Sequence, residues 1–196
     1  MMWRSAGKLM SLSARCKSTK HSDVGWNLLD YKFFIPIQTR WSDNDPYGHI
    51  NNGIYHEFID LATTNLFRTL LNEEDMKAYA AIRAESTCSY QKPLHYPQVP
   101  LVGAGVTELS NKSISFSVGF FTPKSSLEDF NPVADLSFNG RIVDEDEKEK
   151  LAQHFHPHAA TWARAVGVFV AADKLTKAGS VPDHLLEKMK SAAMSL

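Results

Sequence analysis

Residues 40–58 read RWSDNDPYGHINNGIYHEF and decide how the rest of the chain is interpreted. Two aspartates, Asp43 and Asp45, precede a Pro-Tyr-Gly turn and a mostly polar run from His49 to Gly53. A helical pattern begins directly after that run. Functional residues are often found on loops that a rigid scaffold holds at the surface. We therefore expect the functional site in this loop, with the remaining chain acting as its scaffold.

A long helix is predicted from Gly53 to about Leu71. Apolar residues recur there at steps of three and four, which produces one apolar stripe: Ile54, Phe58, Leu61, Ala62, Leu66 and Leu70. Asn51 or Asn52 is suited to cap the helix, because a side-chain oxygen can accept a free N–H of the first turn. The functional loop therefore ends at a helix N-terminus.

The rest of the chain is predicted to contain mainly strands. Alternating or β-rich runs are Phe33–Trp41, Ala81–Tyr90, Val99–Leu109, Ser113–Thr122, Val133–Val143 and Trp162–Ala171. Pro36 suggests an edge position or a bulge in the first strand. A short charged helix is expected from Asp144 to near His154, and an amphipathic one over Asp183–Met194. This order predicts an α+β fold in which one long helix packs on an antiparallel sheet with a single covered face.

The composition is that of one soluble globular domain. The chain has 196 residues, of which 43% are hydrophobic and 22% charged. No apolar run approaches the roughly 20 residues that span a bilayer. The two cysteines, Cys16 and Cys88, suggest neither a disulfide framework nor a zinc site. We read Cys88 as a small buried hydrophobe of a strand.

The N-terminal segment differs from the body in charge. Residues 1–22 hold five basic residues, five serines and no acidic residue. Without them the chain has 16 basic and 22 acidic residues, a net charge of about −6, which argues against general nucleic-acid binding. Segment 1–22 is predicted to be a mitochondrial transit peptide, with a disordered basic tail as the alternative. The expected location is the mitochondrial matrix, or otherwise the cytoplasm.

Two possible metal motifs are rejected. Asp43–Gly48 superficially resembles a calcium loop, but the fifth position is Tyr47 and the twelfth is Ile54, neither of which supplies the oxygen ligand required there. The alternating histidines of 154–158, HFHPH, lie in a charged region without a thiolate or paired carboxylates, and a solvated loop is expected. No G-x-S-x-G elbow, P-loop or dinucleotide fingerprint occurs. No metal or other cofactor is therefore expected.

Two interpretations of the functional loop remain open from the residues alone. A carboxylate, Asp45, lies close in sequence to a helix N-terminus, where the N–H groups of Asn52 and Gly53 can bind a developing oxyanion. An acid beside such a site is the minimum needed for acyl transfer. Alternatively, the two aspartates only stabilise turns and the two asparagines only cap the helix.

A family resemblance favours the catalytic interpretation. The sequence RWSDNDPYGHINNGIYHEFID closely resembles the signature of hotdog-fold acyl-CoA thioesterases of the 4-hydroxybenzoyl-CoA thioesterase type. Residues 90–94, YQKPL, resemble the family's Y-x-x-P-L, and the last strand with Val181-Pro182 resembles its final strand and tail. The resemblance covers about 33–122 and 160–190. It implies a hotdog domain over 30–196 with an insertion at about 123–158.

The resemblance implies a curved antiparallel sheet wrapped around one long helix, and thioester hydrolysis of an acyl-CoA. The catalytic aspartate falls on Asp45 and the oxyanion-binding amide near Asn52, with Gly53 beside it. His49 and Asn51 match the family's G-H-x-N-N variant and are expected to shape the site. Protomers of this family form dimers or larger assemblies with active sites at the subunit interface. We therefore expect a homo-oligomer.

Some features depart from the family pattern or leave alternatives. Thr63 replaces an Arg that is common in the helix, and Glu57 and Asp60 are alternative positions for the catalytic carboxylate. Lys92 and Arg83 are candidates to meet the CoA phosphates. A dehydratase that pairs His49 with Asp45 is a second hypothesis. A non-catalytic acyl-CoA binder or assembly component of a mitochondrial complex is a third.

Overall fold

The computed structural model describes residues 24–124, 139–171 and 179–194. Its elements in chain order are β1 Phe33–Pro36, α1 Asn52–Leu70, α2 Glu73–Ala78, β2 Tyr79–Tyr90, β3 Leu101–Leu109, β4 Ser113–Phe121, β5 Arg141–Ile142, α3 Glu145–His154, β6 Thr161–Ala171 and α4 Asp183–Lys190. Short 3₁₀ turns occupy Leu28–Asp30 and Trp41–Asp43. Within these residues no helix has both the length and the apolar character needed to cross a bilayer.

The six strands form one antiparallel sheet in the order β2-β6-β4-β3-β1-β5. Helix α1 packs on one face of this sheet through a buried stripe that includes Tyr55, Phe58, Ile59, Ala62 and Leu66. The predicted α+β fold with one long helix on an antiparallel sheet is therefore confirmed. Leu61, which the helical pattern assigns to the buried stripe, is 44% exposed instead.

The prediction of a single covered face was wrong. A second apolar cluster covers the other face and joins the segment before β1 to α3 and the C-terminal residues: Leu28, Tyr31, Phe34, Leu101, Phe121, Val143, Leu151, Phe155, Ala159 and Met194. Small residues of β4 make this cover possible. The Tyr31 hydroxyl and Ser117 Oγ share a hydrogen bond of 2.9 Å. A Cβ on Gly119 would lie 2.9 Å from the Tyr31 ring, so only glycine leaves room for the ring there. Strand β4 is thus buried on both faces.

Several predicted boundaries were corrected. β1 ends at Pro36 rather than Trp41, because Arg40 turns the chain by donating its N–H to the Asp43 carboxylate at 2.7 Å. Pro36 lies beyond the two β1 residues that pair with β5, so on that side no strand of the described chain pairs with it. Helix α2 was not predicted, and α4 ends at Lys190 rather than Met194. Of the predicted strand Val133–Val143, residues 133–138 lie outside the described residues, as does segment 1–22.

Candidate active site

The functional loop is a tight hairpin that returns the chain to the start of α1. Asn44 and Ile50 form an antiparallel bridge across it. Inside the bridge, the Asp45 N–H donates to the His49 carbonyl at 2.7 Å, and the Gly48 N–H donates to the Asp45 carbonyl at 3.0 Å. Gly48 has φ = 80°, a left-handed conformation that favours glycine. The hairpin is therefore a defined backbone structure.

Three hydrogen bonds anchor the hairpin to its surroundings. The Asn51 N–H donates to the Asp43 carbonyl, and the Ile50 N–H donates to the Leu94 carbonyl at 2.7 Å. The Leu94 N–H in turn donates to the Tyr55 hydroxyl at 3.2 Å. Burial raises the pKa of the Tyr55 phenol above its usual value. Leu94 thus joins the loop to the first turn of α1.

The two aspartates of the loop have different environments. Asp43 is 1% exposed, and its carboxylate accepts the Arg40 N–H at 2.7 Å and the Arg40 Nε–H at 2.9 Å. Asp45 is only half-buried. Its Oδ1 accepts the N–H groups of Tyr47 at 2.9 Å and His49 at 3.1 Å. Within the described chain no hydrogen bond occupies Asp45 Oδ2, so this oxygen is the one available to a ligand.

The first amides of α1 also differ. Asn51 is the N-cap, and its Oδ1 accepts the Gly53 N–H at 2.8 Å. The Ile54 N–H donates to the Asn51 carbonyl at 2.9 Å. Gly53, predicted as an oxyanion donor, therefore has its N–H already occupied. Over the described residues the Asn52 N–H has no acceptor, and Asn52 is exposed. Of the two predicted donors, only the Asn52 amide is available.

The alternative carboxylates on the helix are held in ion pairs. Glu57 accepts from Arg40 Nη2 at 3.3 Å, and Asp60 accepts from Arg83 Nη2 at 2.7 Å. Arg83 Nη2 also donates to Thr63 Oγ1 at 2.9 Å. An arginine of β2 thus contacts α1 where the family pattern has an arginine on the helix itself. The Nη2 group of Arg83, a predicted candidate to meet the CoA phosphates, is therefore already used by α1.

The remaining predicted residues lie apart from the hairpin or bind it through the backbone. Lys92 is exposed, and its backbone N–H donates to the Ala160 carbonyl at 2.9 Å. His49 contacts Asp45 through backbone atoms, and across the described chain no hydrogen bond links its imidazole to the carboxylate. Cys88 is half-buried, and burial raises the pKa of its thiol, which disfavours the reactive thiolate.

The three histidines of 154–158 do not form a common site. All are exposed; His154 ends α3, whereas His158 stacks on Trp26 with ring centroids 5.3 Å apart. His158 Nε2 lies 3.2 Å from Gln91 Oε1. In the described ranges no group of three His, Cys, Asp or Glu side chains is placed to hold a metal ion.

A cavity of about 420 Å³ lies between α1, α2 and the first half of β2. Its lining includes Asp60, Thr63 and Arg83 together with apolar residues such as Phe67 and Phe169. This cavity was missed from the sequence. The small polar residues on α1 were the available signal, but their partners come from strands distant along the chain.

Helices α2 and α4, which each contribute a methionine to the cavity wall, are joined by an ion pair. Lys188 Nζ lies 2.6 Å from Asp75 Oδ2, and only 11% of the Asp75 side chain is exposed. The hydrogen bond from Lys188 lowers the pKa of the Asp75 carboxyl. Burial opposes this effect, and the Asn72 N–H and the charge of Lys188 add to it. The pair fixes α4 over one part of the cavity.

The Asp75 pair is expected to stabilise the fold in a pH-dependent way. Its contribution is fully present above the unfolded-state pKa of about 3.9 and is lost as the pH falls through the lower folded-state pKa. Asp75→Asn should therefore lower Tm near pH 7 and have progressively less effect below about pH 4. Thermal unfolding across this pH range measures the effect.

Glu73→Gln is the matched control on the same helix. Glu73 pairs with Lys77 at 3.3 Å, but both side chains are largely exposed, so its loss should scarcely change Tm. If the two substitutions gave the same Tm at every pH, Asp75 would have no special role in joining α2 to α4.

The fold agrees with comparisons to known proteins. Residues 39–189 match the family model of the Thioesterase-like superfamily, and the chain belongs to that superfamily. Among curated proteins no significant match was found.

The solved structures that resemble the chain include hotdog thioesterases. The PA5185 protein of Pseudomonas aeruginosa strain PAO1 is 26% identical, with a TM-score of 0.60 over 85% of this chain and 94% of that one. A Thermus thermophilus thioesterase complexed with coenzyme A and Zn is 14% identical, with a TM-score of 0.57 over 83% and 95%. The DHNA-CoA thioesterase of Staphylococcus aureus is 17% identical, with a TM-score of 0.57 over 81% and 90%. The fold is therefore the hotdog fold predicted from the sequence.

Proposed function

We propose that the protein hydrolyses an acyl-CoA thioester to the free acid and CoA, in the manner of the 4-hydroxybenzoyl-CoA thioesterase type. The observation that carries the proposal is that the hairpin holds an available carboxylate oxygen on Asp45, and the start of α1 that directly follows holds an unoccupied amide on Asn52. Membership of the Thioesterase-like superfamily supports the reaction class, and the coenzyme A bound by the Thermus thermophilus structure supports the substrate class.

Asp45 acts in one of two ways. As a nucleophile, its Oδ2 attacks the thioester carbonyl, the C–S bond breaks, and the CoA thiolate leaves and takes up a proton. Water then cleaves the mixed anhydride, releasing the acid and restoring the carboxylate. As a general base, the same oxygen removes a proton from a water molecule that attacks directly. Both routes consume one water and yield one acid and one thiol.

The Asn52 amide stabilises the negative oxygen that develops on the thioester carbonyl. It points from the N-terminus of α1, where the helix dipole adds positive potential. One such donor typically lowers the barrier by roughly 3 kcal/mol. Asn51 and His49 support the site: the Asn51 side chain caps α1, and the His49 backbone holds the Asp45 carboxylate.

The proposed assembly is a homodimer or a higher homo-oligomer. β2 is the edge strand of the sheet and runs for 12 residues with no strand of the described chain on its outer side. Ile82 and Tyr90 are 45% and 42% exposed on it. A long edge with exposed apolar residues is a usual site for pairing with another chain. Sedimentation of the purified protein as a monomer would contradict this part.

Residues 1–22 are proposed to direct the protein to the mitochondrial matrix, with the cytoplasm as the alternative. Their basic, acid-free composition supports this proposal. Fusion of residues 1–22 to a fluorescent reporter tests it, and a reporter that stays in the cytoplasm would count against import.

The reaction is tested on residues 23–196 with a panel of CoA esters of varied chain length and aryl type. Thiol release is followed with a chromogenic reagent, and the acid is quantified separately. We expect equal amounts of thiol and acid from at least one ester. Hydroxyacyl-CoAs are included because a dehydratase would form an enoyl product without releasing thiol. Binding of the esters without turnover would instead favour the non-catalytic hypothesis.

A further inference from the structure

The cavity beside α1 has the size and lining of a small-molecule site. Its volume of about 420 Å³ falls within the range of roughly 300–1,000 Å³ that is usual for ligand pockets. Most of its wall is apolar and includes Phe67, Met76, Phe116 and Phe169. A few polar groups in an apolar wall are what fixes the orientation of a bound ligand. Arg83 supplies a charged hydrogen-bond donor to this wall.

The Arg83 guanidinium is only partly satisfied. Nη2 donates to Asp60 Oδ1 at 2.7 Å and to Thr63 Oγ1 at 2.9 Å, while Thr63 Oγ1 donates onward to the Ile59 carbonyl. Nη1 is buried and has no acceptor in the part of the chain that the structure describes. The side chain is 27% exposed, so it is not a freely moving surface arginine. A buried donor of this kind is rare in a folded protein and calls for an acceptor from a ligand or from water.

The charge of the site selects the kind of acceptor. Asp60 already neutralises the guanidinium, so a second carboxylate would gain little from it. A neutral oxygen, such as a hydroxyl or keto group, can accept from Nη1 without adding charge. We propose that the cavity binds the distal part of a long acyl chain that carries such an oxygen, with Arg83 as the residue that recognises it. This inference rests on the proposed thioesterase function and names its substrate class.

The length of α1 sets where the oxygen lies. Thr63 is eleven residues after Asn52, which corresponds to about 16 Å along the helix. An extended chain advances about 1.2 Å per bond, so the oxygen lies more than ten bonds from the thioester carbon. A hydroxyl close to the thioester would not reach Arg83. The position of the oxygen, as well as its presence, should therefore affect binding.

The test compares three long-chain acyl-CoAs of equal length: the plain chain, one with a distal hydroxyl, and one with a hydroxyl next to the thioester. We expect kcat/KM to be about ten- to a hundredfold higher for the distal hydroxyl than for the other two, as a hydrogen bond to a charged group implies. Equal kcat/KM for all three would overturn the proposal without any variant being needed.

Arg83→Met removes the donors and keeps much of the side-chain volume. Within this variant, kcat/KM for the distal hydroxyl should fall to the value for the plain chain, so the preference is abolished. Lys77→Met, an exposed α2 residue outside the cavity lining, is the matched control and should keep the preference. A preference that survives in Arg83→Met would overturn the proposal. A change in the oligomeric state of Arg83→Met, with all three esters slowed equally, would also overturn the proposal. That result would indicate that a second copy of the chain covers the cavity.

Non-hydrolysable thioether analogues of the same three chains separate this inference from the reaction itself. Their affinities are measured by calorimetry on the wild-type protein. A distal-hydroxyl preference in binding, without hydrolysis of any ester, would contradict the proposed function and leave the cavity assignment standing. Hydrolysis without a binding preference would contradict the cavity assignment alone.

Discussion

Asp45→Asn is expected to reduce kcat/KM for the best acyl-CoA by about a thousandfold or more, with little change in Tm. The substitution is nearly isosteric. The Asn oxygen can still accept the N–H groups of Tyr47 and His49 that Asp45 Oδ1 accepts, so the hairpin keeps its shape. What is lost is the negatively charged oxygen that attacks the thioester or activates water. Steady-state thiol release and thermal unfolding on the same preparation measure both effects.

Asp43→Asn is the matched control, two residues earlier in the same loop. Asp43 is buried and its carboxylate is bound by Arg40, so the substitution should lower stability by about 1–3 kcal/mol. Activity per folded molecule should remain near the wild-type value. The opposite result, with Asp43→Asn inactive and Asp45→Asn fully active, would show that Asp43 carries the chemistry and would refute the mechanism.

Asn52→Pro is expected to reduce kcat by about a hundred- to a thousandfold, the usual effect of removing one oxyanion donor. Asn52 is the first residue of α1, where proline is favoured and where the N–H makes no bond within the helix. Asn51 has φ = −58° and ψ = 139°, close to the polyproline II conformation that is compatible with a following proline. Proline therefore removes one N–H with little disturbance of the helix.

Asn52→Ala separates the amide from the side chain. Both substitutions remove the Asn side chain, but only alanine keeps the backbone N–H. We expect Asn52→Ala to retain nearly wild-type kcat and both variants to unfold within a few degrees of the wild type. Equal kcat for Asn52→Pro and Asn52→Ala would show that this amide does not hold the oxyanion.

The sequence was sufficient for the elements whose patterns are local. Helix α1 was predicted over Gly53–Leu71 and lies at Asn52–Leu70, because a period of 3.6 residues is sustained over five turns. The loop from Asp43 to Asn52 was also recognised, since its turn and capping residues act on neighbours a few positions away. The family resemblance added the ranking of Asp45 above Asp43. Burial of the Asp43 carboxylate supplies a physical reason for the same order.

The features that were missed depend on contacts between distant parts of the chain. The cover on the second face of the sheet joins Tyr31 to Ser117, and the cavity joins Thr63 to Arg83. Neither pairing leaves a periodic signal in the sequence. The use of the Gly53 N–H by the Asn51 side chain is local, but a capping preference alone does not tell which amide the cap takes.

We propose that the Asp45 carboxylate of the hairpin and the Asn52 amide at the start of α1 together perform thioester hydrolysis. Thiol release from the best acyl-CoA, measured side by side for the wild type, Asp45→Asn, Asn52→Pro and Asn52→Ala at equal concentrations of folded protein, tests it most directly. We expect rapid release by the wild type and Asn52→Ala and a large loss in the other two. Wild-type rates in Asp45→Asn, or no release by the wild type from any ester, would contradict the claim.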